Sequence, residues 1–258
     1  MAHSIDLNAD MGEGFGAWTM GDDAALLDIV TSANIACGLH AGDWDVMAAT
    51  MQQAVANSVG IGAHPGFPDL YGFGRRRMEL PKASLQNLVR YQLGAAQAMA
   101  SSAGGRVRHL KLHGALANMA AEDFDMAHAC YTAALDVDPT ITIMVLAGTA
   151  QHKAARELGC ATACEIFADR AYNDDATLVD RSLPGAVIHD PIHAGQRVVD
   201  MVKAGAIITE NGVKIPTRID TICLHGDTPT AVTLAAEVKR ALLESGIGLA
   251  TLKGRPVQ

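Results

Sequence analysis

The stretch Ile5-Asp6-Leu7-Asn8-Ala9-Asp10 is a short apolar run that ends in polar side chains, and the chain repeats this arrangement seven times. Helix-like segments lie between the runs, and strands that alternate with helices predict a parallel sheet with crossover helices. Seven strands favour an α/β fold, an irregular seven-stranded (β/α) barrel. A doubly wound open sheet is the alternative, because periodicity does not separate the two. The predicted strands are residues 4–8, 32–37, 59–64, 106–112, 140–147, 163–168 and 220–225.

Local signals mark helices and one hairpin between these strands. Asp43 is a helix-capping residue before an apolar face at helical spacing, and Pro81 suits the first position of the next helix. Asn211-Gly212 predicts a hairpin turn between residues 206–209 and 213–216. We find no linker or low-complexity segment, so we expect one barrel domain over residues 1–258. The further predicted helices are residues 119–136, 149–159, 190–204 and 229–245.

The composition limits the class of function. The 258 residues fit one barrel, and the net charge of −8 argues against a nucleic-acid partner. No apolar stretch has the length of a membrane span, and the N-terminus shows no basic segment followed by an apolar one. The five cysteines lack the spacing of a disulfide framework, so we expect a cytoplasmic protein. No P-loop motif occurs, so any nucleotide would bind in another mode.

Polar side chains at the strand ends predict a single site, because such residues converge on one rim of a barrel. Asp6, Asn8 and Asp10 alternate along the first strand and therefore share one face. Three polar groups are costly to bury without partners, which favours substrate or metal binding at the barrel mouth. The alternative is a turn at the strand end, in which Asn8 and Asp10 bind nearby backbone.

The two loops that follow add further candidates. Residues 12–17 formally match a dinucleotide fingerprint, but Gly21 interrupts any helix there and no acid ends the next strand, so we exclude that function. Glu13 in this loop is a candidate general base. Asn34 lies in the second predicted strand, and His40, which follows between glycines, is suited to metal binding or proton transfer, unless it is an ordinary loop histidine. We interpret Cys37 as a small core residue rather than a nucleophile.

The long loop after His64 is rich in Gly, Pro and aromatic residues, which is typical of a lid or binding loop. It ends in Arg75-Arg76-Arg77, a cluster suited to holding a carboxylate or phosphate. The alternative is a solvated turn with surface arginines.

The later strand ends carry the remaining candidates. Lys111 and His113 share one face, and a lysine inside a barrel mouth is costly unless it meets an anion. Glu165 and Asp169 alternate in the same way, and the last strand ends with the pair His225 and Asp227. The alternative is a salt-bridged rim without chemistry. The histidines outside this context are expected at the surface or in packing positions: His3, His109, His128, His152, His189 and His193.

Taken together, these motifs resemble the LamB/YcsF family across nearly the whole chain. The first is Asp6-Leu7-Asn8-Ala9-Asp10-Met11-Gly12-Glu13. Ala117 stands where that family commonly has Tyr, which predicts a wider pocket. The other motifs that carry the resemblance are residues 32–43, 62–69, 72–76, 111–116, 165–172 and 223–227.

The resemblance implies a barrel of the glycoside hydrolase/deacetylase type. It also implies cleavage of 5-oxo-L-proline to L-glutamate coupled to hydrolysis of Mg-ATP, by the first of three components, which works with separate B and C subunits. A bound divalent metal and a homo-oligomer are both left open. A metal-dependent amidohydrolase or carbohydrate deacetylase that needs no ATP is the alternative enzyme. A scaffold that only binds partner subunits or a small metabolite is the alternative without chemistry.

Within the lactam reaction, roles follow from residue chemistry. We expect a carboxylate to act as general base toward water, with Lys111 and His113 neutralising phosphate or oxyanion charge. An arginine would hold the substrate carboxylate, and the rim histidines would transfer protons or ligate a divalent ion. The catalytic candidates are Asp10, Glu13, Lys111, His113 and Asp169. The substrate-binding candidates are Asp6, Asn8, Asn34, His40, His64, Arg75, Arg76, Glu165, His225 and Asp227.

Overall fold

The strands form a closed barrel in the structure, a computed structural model that describes residues 4–225 and 230–256. Seven parallel strands close because the last of them pairs with both the first and the sixth. This confirms the predicted barrel and excludes the open sheet. The strands are β1 (Ser4–Met11), β2 (Ser32–Ala36), β3 (Gly60–His64), β4 (Val107–Lys111), β5 (Thr142–Leu146), β6 (Ala161–Phe167), β7 (Ala206–Ile208), β8 (Lys214–Pro216), β9 (Thr221–Leu224), β10 (Gly248–Leu249) and β11 (Arg255–Pro256).

Helices surround the barrel and cover its outer face. Asp43 caps α2 as predicted, because its carboxylate accepts hydrogen bonds from the backbone N–H groups of Asp45 and Val46. None of the helices within the described part of the chain has the length and apolar character needed to cross a membrane. The helices are α1 (Asp23–Leu27), α2 (Trp44–Ala56), α3 (Lys82–Ser102), α4 (Gly114–Glu122), α5 (Phe124–Val137), α6 (Ala150–Glu157), α7 (Pro191–Ala204) and α8 (Ala231–Glu244).

Several predicted boundaries differ from the structure, and three of these differences concern helix starts or candidate residues. The helix expected over residues 119–136 is two helices, because Asp123 adopts an extended backbone and caps α5 through the N–H of Met126. Pro81 lies one residue before α3 rather than at its first position. Strand β1 continues to Met11, so Asp10 lies on the strand and not in a turn.

Short strands complete the sheet edges. Strands β7 and β8 form the predicted antiparallel hairpin around Asn211-Gly212. The sequence patterns did not indicate β10, which extends the sheet beside β1, or β11, which pairs with β6.

The barrel has an apolar outer layer and a polar interior, and strand alternation produces both. Leu7, Ala9 and Met11 belong to the apolar core, whereas the alternate side chains of β1 make hydrogen bonds with other strands. Gly62 on β3 leaves room for the imidazole of His109, which a Cβ at this position would overlap. The interior is therefore filled with polar side chains, several of which make hydrogen bonds with one another.

Candidate active site

Asp6 forms the base of the polar interior, at the amino ends of the strands. Its carboxylate accepts hydrogen bonds from the hydroxyls of Thr31 (2.7 Å), Ser32 (2.6 Å) and Thr221 (2.5 Å). Burial raises the pKa of Asp6. The structure therefore places Asp6 at the opposite end of the barrel from the loops that carry most of the other candidates.

A second layer consists of two asparagines and one histidine. Asn34 donates to Oδ1 of Asn8 (2.7 Å) and to Oδ1 of Asp10 (2.8 Å). Its own oxygen faces Nε2 of His109 at 2.8 Å. The expectation for His109 was a surface or packing role, but its imidazole is fully buried inside the barrel. His109 lies two residues before Lys111 on the same strand, so the alternation of side chains would have placed both on the inner face of the barrel.

Lys111 forms the centre of the third layer, at the carboxyl ends of the strands. Its Nζ lies 2.8 Å from Asp10 Oδ1, 3.0 Å from Glu165 Oε1 and 2.9 Å from Cys223 Sγ. Burial alone would lower the pKa of Lys111, but the neighbouring acidic groups, led by Asp10, hold it well above its ordinary value. The lysine is therefore charged, which agrees with the prediction that a lysine in the barrel mouth lies beside anionic groups.

The pKa values of the two carboxyl groups beside Lys111 are displaced in opposite directions. Burial alone would raise the pKa of Asp10, but His64 and Lys111 outweigh it and hold this pKa well below its ordinary value. Burial raises the pKa of Glu165, which Lys111 offsets only in part. A pair of acids with pKa values displaced in opposite directions is typical of one base and one acid.

Three histidines pack together beside Asp10. The rings of His40 and His113 stack with centroids 3.7 Å apart, and His64 meets both edge-on. Burial lowers the pKa of His40 and of His113 well below the ordinary value, so both are neutral. With Glu13 they form a buried group whose ligand atoms lie within 4.8 Å of one another and could hold a metal ion.

Asp169 and His225 form a separate pair at the rim. Nδ1 of His225 lies 2.7 Å from Oδ2 of Asp169, and the imidazole stacks on Phe167. Burial alone would raise the pKa of Asp169, but His225 outweighs it and lowers this pKa. An ionised carboxylate that fixes an imidazole in this way orients the ring for proton transfer. Asp227, the predicted neighbour of His225, lies outside the described residues.

A cavity of about 620 Å³ opens above the Lys111 layer. Its lining includes Asp10, Glu13, His64, Lys111 and His113 together with Arg75 and His225. Ala117 also lines it, at the position where the sequence predicted a wider pocket. A recess of about 30 Å³ beside it reaches Glu165.

The arginine cluster is divided by the structure. Arg75 lies over the Phe73 ring, 4.8 Å from its centroid, and lines the cavity. Arg76 instead forms an ion pair with Asp69 and is mostly exposed. Among the described residues, Arg76 is not one of those that line the cavity. Cys37 is buried with its pKa raised to about 12, which agrees with its interpretation as a core residue.

This arrangement places an ammonium, carboxyl groups and imidazoles around one cavity. Such a combination can neutralise an oxyanion, activate water and deliver a proton to a leaving nitrogen. The arrangement can therefore support hydrolysis.

Comparisons with known proteins point to one family. The family model described as the LamB/YcsF family matches residues 5–256. A curated protein from Ruegeria pomeroyi, named as the A subunit of 5-oxoprolinase, is 69% identical over 245 residues, which is 95% of this chain and 97% of that protein. One of the same name from Rhodopseudomonas palustris (strain BisB18) is 53% identical, covering 97% of this chain and 99% of that protein.

Solved structures agree with the barrel. The lactam utilization protein from Thermus thermophilus superposes with a TM-score of 0.90 at 39% identity, covering 96% of this chain and all of that one. A family 4 carbohydrate esterase from Streptomyces lividans has a TM-score of 0.51 at 10% identity, covering 99% and 97% of the two chains. The second likeness shows a shared fold alone.

Proposed function

The chain belongs to the LamB/YcsF family, and from this premise we propose that it is the A subunit of a 5-oxoprolinase, which opens the lactam ring of 5-oxo-L-proline to give L-glutamate. The observation that carries this proposal is Lys111 held between Asp10 and Glu165 under the cavity. A cation between a base and an acid matches the needs of amide hydrolysis, in which an oxyanion forms and a nitrogen leaves.

The reaction is coupled to ATP in this proposal, because an unactivated lactam is a poor electrophile. Transfer of the γ-phosphoryl group to the lactam oxygen releases ADP and activates the ring carbon. Water adds to that carbon, the C–N bond breaks with a proton delivered to nitrogen, and the resulting acyl phosphate is hydrolysed by a second water to glutamate and phosphate. Mg-ATP and the B and C subunits supply the activation.

Residue roles follow from position and protonation. Asp10, ionised and facing the cavity, is the general base toward water. Lys111 stabilises the oxyanion, and Glu165 is the proton donor to the leaving nitrogen. Arg75 binds the substrate carboxylate at the cavity wall, and the Asp169–His225 pair moves a proton at the rim.

A second candidate function is a metal-dependent amide hydrolase that needs no ATP. The observation that favours it is the buried group of Glu13, His40, His64 and His113. A metal bound there would activate water directly. The two candidates differ in their need for ATP, which makes them separable by experiment.

The test measures glutamate release from 5-oxo-L-proline, by this chain with and without its partner subunits, each with and without Mg-ATP. We expect glutamate only with ATP and all subunits, and none when Lys111→Met replaces the wild-type chain. Arg76→Ala is the matched control, because it removes a cation outside the cavity. Glutamate formed without ATP would favour the metal-dependent hydrolase instead. No glutamate from a folded, assembled complex would overturn the proposal.

The setting of this reaction is the cytoplasm in our proposal. All five cysteines are free thiols in the structure, which suits a reducing compartment. ATP and the partner subunits would be available there.

A further inference from the structure

The hydrogen bonds of His64 and His113 leave one ring nitrogen of each residue facing the other. Nδ1 of His64 lies 2.8 Å from the backbone carbonyl of Lys111, and Nε2 of His113 lies 2.8 Å from the carbonyl of Phe73. A carbonyl only accepts, so each of these nitrogens carries a ring hydrogen. The remaining nitrogens, Nε2 of His64 and Nδ1 of His113, are 3.0 Å apart and both present lone pairs.

More acceptors surround the same point. Oδ2 of the ionised Asp10 lies 3.3 Å from Nε2 of His64. Glu13 adds a second carboxylate to the group. Lone pairs that converge in a buried space repel one another unless a cation lies between them. The geometry therefore requires either a proton shared by two histidines or a metal ion.

His40 distinguishes these two cases. Its side chain is fully buried, and neither of its ring nitrogens has a hydrogen-bond partner among the described residues. Nδ1 of His40 packs against Gly66 so closely that a Cβ added to this glycine would lie only 2.6 Å from it. Nε2 of His40 is therefore the nitrogen able to take a ligand. A proton shared by His64 and His113 gives His40 no partner, whereas a metal ion satisfies all three rings.

We propose that Glu13, His40, His64 and His113 bind one divalent transition-metal ion of the zinc class. Three imidazoles and one carboxylate are a donor set that such ions prefer over Mg²⁺ or Ca²⁺, which take oxygen ligands. The carbonyls of Lys111 and Phe73 fix the tautomers of His64 and His113, as partners of metal-bound histidines do.

The donor spacing fits an ion after a small adjustment. Ligand atoms at about 2.0–2.2 Å from zinc lie at most roughly 4 Å from one another. The ligand atoms of these four residues lie within 4.8 Å of one another, so they must move slightly closer together. The rings of His40 and His113 are stacked almost parallel, so their ring lone pairs point in parallel planes and do not converge on one point. His40 must therefore tilt out of the stack to share an ion with His113. Glu13, at the cavity wall, leaves the ion open to the cavity on one side.

The metal proposal does not depend on the lactam substrate, since it rests on donors that the chain supplies. When bound, such an ion lowers the pKa of a coordinated water and polarises a carbonyl. Because the site adjoins Asp10 and the cavity, it would serve the proposed hydrolysis as well as its ATP-independent alternative. The test therefore measures binding itself, so that failure of the oxoprolinase activity leaves its outcome unaffected.

The experiment uses the untagged full chain, stripped with chelator and then titrated with Zn²⁺ and with Co²⁺. We expect one equivalent of metal per chain by elemental analysis, visible d–d absorption for Co²⁺, and a higher Tm with Zn²⁺. His113→Gln should weaken binding by at least about 100-fold, beyond the 10–100-fold typical of residues that only orient a ligand. His109→Gln, which alters another buried barrel histidine, should keep the site.

Each remaining outcome is decisive. Should His113→Gln fail to fold, Glu13→Gln takes its place as the ligand variant, and it should lower the Zn²⁺ affinity and the Tm gain. Absence of both stoichiometric zinc and the Co²⁺ spectrum in folded protein would overturn the proposal and assign a proton to the His64–His113 pair. Undiminished binding in the ligand variants would overturn it as well.

Discussion

The ammonium of Lys111 on β4 lies 2.8 Å from Oδ1 of Asp10 on β1, two strands that are not neighbours in the barrel. The pair therefore spans the barrel interior rather than one edge of the sheet. Both side chains are almost completely buried, so the interaction is little screened by solvent or salt. Glu165 on β6 makes it a triad of two buried carboxyl groups and one ammonium.

Replacing Lys111 by methionine should abolish turnover and destabilise the fold. The variant leaves Asp10 and Glu165 buried without their cation, and breaking a buried ion pair costs about 3–5 kcal/mol. Glutamate release and urea unfolding measure the two effects. Combining Lys111→Met with Glu165→Gln should recover part of the stability but no activity. Equal stability of Lys111→Met and wild type would show that the triad is not charged as described.

Arg75 and Arg76 should differ in their effect on substrate binding. Arg75 lines the cavity, so Arg75→Ala should raise KM for 5-oxo-L-proline by about 10-fold or more, the loss of a charge-assisted hydrogen bond. Arg76 pairs with Asp69 outside that lining, and Arg76→Ala should leave KM within about threefold. Steady-state kinetics of the two variants decide the point. A larger KM effect at Arg76 would show that the loop closes differently around substrate.

The Asp169–His225 pair should act through orientation of the imidazole. Asp169→Asn keeps the shape but removes the charge that holds His225, and we expect kcat to fall by about 10²–10⁴-fold. KM should change little, because Asp169 itself is not among the described residues that line the cavity. Asp169→Glu, which keeps the charge, should recover part of kcat and serves as the control.

Strand-level organisation could be predicted from the sequence because it is local. Each buried run was found within a few residues, and the alternation of Asp6, Asn8 and Asp10 indicated the shared face correctly. Closure of the barrel depends on pairing of β9 with β1 across more than two hundred residues, which no local pattern contains. The count of seven strands favoured closure without excluding an open sheet, and the family resemblance implied it.

The sequence did not indicate at which level along the barrel axis each polar side chain lies. Period two assigns a side chain to a face but not to a layer, so Asp6 was grouped with Asp10 although it lies at the opposite end of β1. His109 was missed because the candidates were chosen by position at strand ends. The division between Arg75 and Arg76 depends on loop geometry, which neighbouring identical residues cannot indicate.

The buried His109 predicts a specific loss of stability in mild acid. Burial lowers its pKa to about 3 from an ordinary value near 6.5, so between these values the unfolded chain holds a proton that the folded chain lacks. Stability therefore rises with pH through this window and falls as pH drops below about 6.5, by roughly 2 kcal/mol at pH 5 from this residue alone.

Urea unfolding of metal-free protein from pH 8 to pH 5 measures the slope. His109→Gln, which cannot titrate, should show a shallower dependence although it is less stable at pH 8. Parallel curves for the two proteins would mean that His109 binds the same number of protons in the folded and the unfolded chain, so that burial does not lower its pKa as described.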